Sequence, residues 1–411
     1  MIAFAALRRQ TFSSLHSPNY RRYFSGQAVS LVGTWMQSVA QSWLVLQLSG
    51  SATALGVVTA VQTLPILLLG TYGGVIADRL DKRKSLILLQ AVSGLLALVL
   101  GVLVLTHAVR LWHVFVLAAL LGMCNAFVNP TRQAFTSEMV GLADLRNAVS
   151  LNSVLNNCAR AVGPAVAGIV IAAGGTGVCF LLNAASFVAV IVSLARLDVA
   201  GLQRAPRTAR APRQIRAGLD YVRRTPTLLV PLVMMGIVGC LAYEFPVVLP
   251  VVARDAFGHG PATYGFMTAA IGAGAVVGGL YIAARGETGL WAMVRSATLF
   301  TVVLAFSALA PTLWLELVAL FAVGAVSTGF LSQGSSTLQI EADPTMRGRV
   351  VALWAVALQG TTPIGGPIAG VISERFGGRA GLVLAAAACA VAAVIGWWMA
   401  RRPHDHKGES L

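Results

Sequence analysis

Long apolar stretches separated by short polar segments make up most of this chain. Six of them precede a polar segment rich in Arg and Pro at 196–226, and they lie at 23–48, 52–77, 85–106, 112–135, 147–173 and 178–195. Six more follow it, at 228–252, 263–284, 291–309, 313–336, 350–373 and 379–400. Because a helix needs about 20 apolar residues to cross a bilayer, each stretch predicts one transmembrane helix.

The pattern therefore predicts an all-α polytopic membrane protein with 12 transmembrane helices in two six-helix bundles. The predicted parts are an N-terminus at 1–22, a bundle at 23–195, a linker at 196–226, a second bundle at 227–400 and a tail at 401–411. The fifth stretch of each half carries a Gly-Pro pair, Gly163-Pro164 and Gly366-Pro367. Repeats on this scale are typical of secondary transporters, whose site lies between the halves.

Composition supports lipid as the solvent of this chain. The sequence is 57% hydrophobic and 11% charged, whereas a soluble domain carries about 25% charged residues. The net charge of +15 does not indicate nucleic-acid binding, because the cations lie in loops and no basic, aromatic-interleaved soluble domain exists. The lipid bilayer is the expected partner.

The distribution of Lys and Arg predicts the orientation. With a cytoplasmic N-terminus, 25 of the 30 cations lie on the cytoplasmic side, four lie on the other side, and Arg160 lies within a span. Cytoplasmic loops carry the excess of positive charge in membrane proteins. We therefore expect both termini in the cytoplasm.

The loop after the second stretch carries the most informative motif. Gly74, Asp78 and Arg79 end that stretch, and Arg83-Lys84 precede the next one. This arrangement resembles the loop between the second and third helices of the major facilitator superfamily, the twelve-helix secondary transporters. The family usually has Gly where this chain has Asp81. A basic cytoplasmic turn between any two membrane helices would by itself explain the cations. It would not explain why the second stretch ends in Gly-x-x-x-Asp-Arg.

The resemblance implies a gate at the cytoplasmic side. Asp78 would face the positive end of the eleventh helix, which begins near Arg347, and would hold that side shut. Gly74, Arg79 and Arg83 belong to the same predicted gate. The alternative is a helix-ending charge pair of about 0 to 1 kcal/mol.

The fifth stretch carries Arg160, Gly163, Pro164, Ala167 and Gly168. Gly-Pro within a span bends the helix and lets another backbone approach closely. The segment is similar to the fifth-helix signature of exporters in the family, although Ala167 stands where that signature often has Gly. A cation facing lipid is costly, so Arg160 is expected to face the bundle interior, with a carboxylate or a substrate as its partner, or to snorkel.

Glu244 is the candidate for proton coupling. It is the only carboxylate well inside a predicted span, and an embedded carboxylate that alternately meets water can take up and release protons. The alternative, which the sequence favours equally, is that Glu244 makes a local hydrogen bond near the outer mouth and has no part in proton coupling. Glu316, at the outer end of its span, is expected to be interfacial.

Polar side chains elsewhere in the spans predict a wet central cavity, although helix bridging would explain any one of them. The candidates for lining it are Gln37, Gln41, Asn125, Asn129, Arg132, Asn157, Gln333 and Gln359. No Gly-x-x-x-x-Gly-Lys-Ser/Thr, His-Glu-x-x-His or Gly-x-Ser-x-Gly motif occurs, so we expect no enzyme, cofactor or metal.

Two further segments, 25–37 and 265–279, resemble the branch of the superfamily that contains the enterobactin exporter and drug-efflux permeases. This resemblance implies proton-coupled efflux of a small amphipathic siderophore or drug across the bacterial cytoplasmic (inner) membrane by alternating access. We expect a monomer. An importer, a uniporter or a lysolipid flippase of the same fold is the alternative, and a membrane enzyme or receptor would need a reactive cluster or ligand domain that is not found.

Overall fold

The computed structural model describes residues 13–203 and 214–401, including their side chains except those of 71–79, 142 and 214–217. Long helices form the first half of the chain. They are α1 (Pro18–Ser49), α2 (Ala52–Arg79), α3 (Lys82–Leu105) and α4 (Leu111–Gly141), followed by α5 (143–174) and α6 (176–195). The predicted segments at 1–12, 204–213 and 402–411 lie outside the described residues.

Shorter pieces appear in the second half. It begins with the linker helix α7 (Gln214–Arg224) and continues with α8 (Pro226–Leu241), α9 (Phe245–Val251) and a π-helical turn at Val252–Ala256. The remaining helices are α10 (Pro261–Arg285), α11 (Leu290–Leu309), α12 (Leu313–Glu341), α13 (Arg347–Gln359), α14 (Thr362–Phe376) and α15 (Gly378–Ala400).

The helices account for the twelve predicted crossings. Nine stretches of the described chain are long and apolar enough to span a membrane, and one of these, Ala143–Ala195, contains both α5 and α6. Helix α1 and the pair α13–α14 supply the other two crossings. They are not among the nine stretches because α1 carries many polar residues and the crossing by α13–α14 is interrupted. The expected all-α, twelve-helix architecture is confirmed.

Single glycines make the turns on both sides of α5. Gly141 (φ 72°, ψ 175°) and Gly175 (φ 79°, ψ 173°) adopt backbone angles that side chains avoid. Helical structure therefore resumes immediately, and the fourth and fifth spans extend beyond their predicted ends. The polar residues near these ends lowered the apolar signal without ending the helix.

The seventh and eleventh spans are each broken. Between α8 and α9 the chain leaves the helix at Ala242–Glu244, and between α13 and α14 it does so at Gly360–Thr361. The hydrophobic pattern predicts a single helix in both places. Prolines follow each break, Pro246 and Pro363, and proline favours the first turn of a new helix.

Successive crossings alternate in direction, which defines two ends of the bundle. We call the end with the α2–α3 turn, Gly141 and the 342–346 loop the basic end. The end with the Gly50–Ser51 turn, Gly175 and Gly377 is the far end. Glu316, in the first turn of α12 at the far end, is fully buried and accepts a hydrogen bond from Ser307 Oγ at 2.8 Å. Its burial among the helices was not predicted, and its interfacial depth stays a prediction.

Charges at the basic end hold the first half together. Lys82 Nζ lies 2.6 Å from Glu138 Oε1, with both side chains largely buried, and joins α3 to α4. Arg83 donates from Nε and Nη2 to the carbonyl oxygens of Leu194 and Ala195, both at 2.7 Å. The last carbonyls of α6 are thereby satisfied by a cation, as the negative end of a helix dipole favours.

Candidate functional site

Close glycine contacts join the two halves. A Cβ added to Gly56 of α2 would lie 2.2 Å from the carbonyl oxygen of Gly366 in α14, and one on Gly370 would lie 2.5 Å from Ala52 O. On the other side of the molecule, a Cβ on Gly265 of α10 would lie 2.5 Å from Pro164 O in α5. The described backbones therefore touch along α2–α14 and α5–α10. We call these two contacts the seal.

The Gly-Pro segment of α5 forms part of the seal. A Cβ on Gly163 would lie 2.7 Å from Trp35 Cβ of α1, and one on Gly168 would lie 3.0 Å from Ala262 Cα of α10. Ala167 is fully buried. Small residues allow such close helix contact within a membrane, so this segment packs α5 on one side against its own half and on the other against the second half.

A polar cavity of about 180 Å³ lies next to the seal, between α1, α2 and the start of α9. Gln41 Nε2 donates to Gln62 Oε1 at 2.8 Å across it. Hydroxyl groups and apolar side chains complete its lining: Ser38, Ser42, Val45, Leu55, Val58, Thr59, Thr63 and Pro246. Of the predicted cavity residues, Gln41 lines this cavity. The sequence analysis missed Gln62, although its place within the second apolar stretch marks it in the same way as Gln41.

Glu244 lies at the break between α8 and α9, two residues before the cavity-lining Pro246. Its side chain is 2% exposed, and its Oε1 has no hydrogen-bond partner among the described residues. The other oxygen approaches Gly366, where a Cβ would be 3.5 Å away, and the carboxyl group also meets the Thr362 side chain. The broken seventh and eleventh spans thus meet around one buried carboxyl group beside the seal.

Arg160 lies on α5 one turn before Gly163, near the middle of the bundle. Its guanidinium carbon is 6.0 Å from the ring centre of Trp35 on α1, and its Nε is buried without a described hydrogen-bond partner. Trp35 Nε1 also donates to Asn156 Oδ1 at 3.3 Å. A cation–π contact offsets part of the free-energy cost of burying this charge. The N–H group of Arg160 Nε remains available as a hydrogen-bond donor.

Tyr243 precedes Glu244 and was missed by the sequence analysis. Its hydroxyl donates to Ser327 O at 3.0 Å and ties the break between α8 and α9 to α12. Its ring packs edge-on against Phe300, with 5.9 Å between ring centres. The break is therefore fixed within the second half by a half-buried aromatic side chain.

The predicted gate is described only in part. The structure describes only the backbone of Gly74, Asp78 and Arg79, so the side-chain contacts predicted for Asp78 and Arg79 are not tested. Arg83 bonds to α6 within the first half, as described above. Arg347 begins α13, and its backbone N–H donates to Asp343 O at 2.9 Å. The Thr345 hydroxyl and amide hold the pKa of the Asp343 carboxyl below its usual value, so an ionised carboxylate already lies at the start of α13.

The other predicted cavity residues have varied surroundings. Gln37 accepts a hydrogen bond from Asn183 within the first half, and Gln333 accepts one from Ser296 Oγ at 2.7 Å within the second. Both are buried and bridge helices of one half. Arg132 Nη2 donates to Asn129 Oδ1 at 3.2 Å on α4. Asn125 and Asn157 are half-buried and Gln359 is exposed, and the structure brings none of these three to the cavity of Gln41.

Twelve membrane crossings in two halves, with glycine contacts between the halves and a polar cavity beside them, are the architecture expected of a major facilitator transporter, and the family comparison places the chain in that superfamily. The chain belongs to the family described as "Transmembrane secretion effector", whose model matches residues 3–410. The predicted siderophore and drug-efflux branch is confirmed at this level.

Curated relatives include several exporters. The chain is 29% identical to the multidrug efflux pump Tap of Mycolicibacterium fortuitum over 84% of this chain and 87% of that protein. It is 22% identical to macrolide efflux protein A of Streptococcus pyogenes over 86% and 89%. With the staphyloferrin A transporter of Staphylococcus aureus the identity is 32%, over 42% of this chain and only 44% of that protein.

Solved structures share the fold. A bacterial homologue of the human lysosomal transporter Spinster superimposes with a TM-score of 0.76 at 12% identity, covering 94% of this chain and 97% of that one. A bacterial homologue of the iron transporter ferroportin gives 0.74 at 13% identity, covering 94% and 99%. These similarities concern the fold alone.

Proposed function

We propose that this protein exports a small amphipathic molecule, a drug or a siderophore, across the bacterial cytoplasmic membrane in exchange for protons. The observation that carries the proposal is the buried carboxyl group of Glu244, which lies where the two broken spans meet beside the inter-half seal. The drug-efflux relatives, which align with most of this chain, support export as the direction of transport. The excess of cations at the basic end supports a cytoplasmic placement of that end and of both termini.

The positions of the inter-half contacts support alternating access. The close glycine contacts and hydrogen bonds between the halves that involve described residues lie between the far end and the middle of the bundle. The far end is therefore closed in this conformation. In the proposed cycle the halves rock about the middle, and the predicted gate of Gly74, Asp78, Arg79, Arg83 and the start of α13 at Arg347 is the contact that closes the basic end.

Glu244 suits proton coupling because its environment changes with this motion. With the far end closed, the carboxyl group has little water and an unpartnered oxygen, and an ionised carboxylate is costly in such a site. Opening the seal at α2–α14 separates Gly366 from its neighbours and admits water. Protonation and the position of the halves are thereby linked, without any catalytic chemistry or cofactor.

The substrate cavity in this proposal is lined by Gln41 and Gln62, with Arg160 nearby on α5. The amide and hydroxyl groups of the cavity supply hydrogen bonds, and the apolar lining accepts the nonpolar part of an amphipathic molecule. The free donor of Arg160 is available to a polar group of the substrate. We propose that a single chain performs the transport, since each half contributes to the site.

Purified protein in liposomes tests this proposal. A pH gradient is imposed, cationic dyes, drugs and siderophores are screened, and substrate and proton movements are recorded together. We expect coupled counterflow, abolished by Glu244→Gln. Glu316→Gln is the matched control, because Glu316 is also a buried carboxyl group but lies away from the inter-half contacts, bonded to Ser307.

Three outcomes would contradict the proposal. If Glu244→Gln preserves uphill, proton-driven transport, the proton site lies elsewhere. Transport that ignores the gradient would favour a uniporter, and movement of lysolipids alone would favour a flippase.

A further inference from the structure

Hydrogen bonds close the far end at the rim of the seal. Glu374, near the end of α14, accepts a hydrogen bond from Ser51 Oγ at 2.6 Å and another from the backbone N–H of Thr53 at 2.7 Å. Ser51 precedes α2, and its hydroxyl also accepts the N–H of Ala54 at 3.1 Å. The carboxylate of one half thus binds the first turn of a helix in the other half.

The first turn of α2 favours an anion for two reasons. Its N–H groups have no partner within the helix, and the helix dipole places positive charge there. Helix α2 runs from the far end to the basic end, and α13–α14 runs the opposite way beside it. The end of each helix therefore lies near the start of the other. At the far end, this geometry places Glu374 of α14 against the first turn of α2.

A second bond crosses the same rim. Arg254, in the π-helical turn after α9, donates from Nη1 to Gly50 O at 3.2 Å, while its Nε binds the neighbouring Asp255 at 2.6 Å. Gly50 and Ser51 form the turn between α1 and α2. Two charged groups of the second half are thus directed at one turn of the first half.

We propose that Glu374, bound to Ser51 and the first turn of α2, is the far-side gate of the transport cycle. The bond exists only when the far end is closed, because opening carries α14 away from α2. Its counterpart is the predicted contact of Asp78 with the start of α13 at the basic end. This inference rests on the alternating access of the proposed function, but on neither its direction nor its coupling ion.

Chemical labelling of a reporter in the cavity tests the gate without measuring transport. Thr59→Cys places a thiol in the cavity beside the seal, in a background whose five cysteines are replaced by serine or alanine. A membrane-impermeant maleimide is applied to spheroplasts, from the far side. We expect Glu374→Gln to accelerate labelling about two- to fivefold, because a carboxylate at an exposed helix N-terminus stabilises it modestly. Ser51→Ala should accelerate it as well, and the double variant should add little more.

The matched control is Glu287→Gln, an exposed Glu that binds Arg295 at 2.6 Å within the second half at the basic end. Its labelling should equal that of the parent. Unchanged labelling in Glu374→Gln, or fully additive effects of the two gate substitutions, would overturn the proposal. Either result leaves the liposome test of antiport unaffected, so the two failures can be distinguished.

Cross-linking provides an independent measurement if the glutamine variant does not fold. The pair Ser51→Cys and Glu374→Cys, oxidised in the membrane, should hold the far end closed, abolish labelling of the Thr59→Cys reporter and recover on reduction. A cross-link that forms but leaves the reporter accessible would contradict the gate.

Discussion

Replacing Gly56 with alanine should force the two halves apart at the far end. The new Cβ would lie 2.2 Å from Gly366 O, whereas ordinary contact begins at 3.4 Å. The backbones of α2 and α14 must therefore separate by roughly 1 Å, since a carbonyl oxygen cannot rotate away as a side chain can. Overpacking of this kind costs about 1 to 3 kcal/mol. Because the open conformation does not contain the contact, the cost applies to the closed one alone.

A penalty of this size shifts the balance between conformations by about fivefold to more than a hundredfold, at 1.4 kcal/mol for each factor of ten. The Thr59→Cys reporter measures the shift as faster labelling from the far side. Transport should fall, because the far-closed state is required in each cycle. Folding should be preserved, which a melting curve of the purified protein checks.

Two other glycines provide matched controls. Gly70 lies on the same helix with nothing within 4 Å of its added Cβ, so Gly70→Ala should leave labelling and transport unchanged. Gly122 of α4 meets Gln62 O at 2.0 Å inside the first half, so Gly122→Ala should lower the melting temperature rather than open the seal. Equal labelling of the Gly56→Ala and Gly70→Ala proteins would refute the assignment of α2–α14 as a seal.

Two further predictions concern the basic end. Lys82→Met leaves the largely buried Glu138 without its cation and should destabilise the protein by about 3 kcal/mol. Thermal unfolding should show that the double variant Lys82→Met/Glu138→Gln recovers part of this stability. A double variant that recovers none of it would contradict a direct pair. Asp78→Asn should leave the protein in the membrane but slow transport, because the predicted gate is lost; normal transport at normal expression would exclude that role.

The sequence predicted the architecture well because hydrophobicity determines it directly. A bilayer requires long apolar helices, and the twelve stretches provided them without reference to any partner. The breaks at 242–244 and 360–361 could not be read in this way. The segments on both sides of each break are apolar, so the hydropathy pattern continues across them. Pro246 and Pro363, which follow the breaks, are the local signal for a new helix start. The meeting of the two spans around Glu244 depends on tertiary packing, which hydropathy does not report.

The site was predictable in kind but not in arrangement. Glu244 was identified because a carboxyl group is rare within a span, and that signal is independent of packing. Gln37 carries the same signal as Gln41, yet one bridges two helices of the first half and the other lines the cavity. Which face of a helix turns inward depends on its neighbours. Glu316 shows the same limit, since its burial results from Ser307 and the surrounding helices rather than from its position in the span.

The fifth-span motif can now be given a physical role. Gly163 admits α1 and Gly168 admits α10, so the motif makes α5 a packing surface shared by both halves. This role requires small residues, and Ala167, fully buried between them, meets the requirement as well as glycine would. A surface that closes in every cycle does not by itself select a direction of transport. In a secondary transporter the gradients of proton and substrate set the direction, and the proposed proton exchange needs an ionisable group whose burial changes as the surface opens. Glu244 is the candidate for that group.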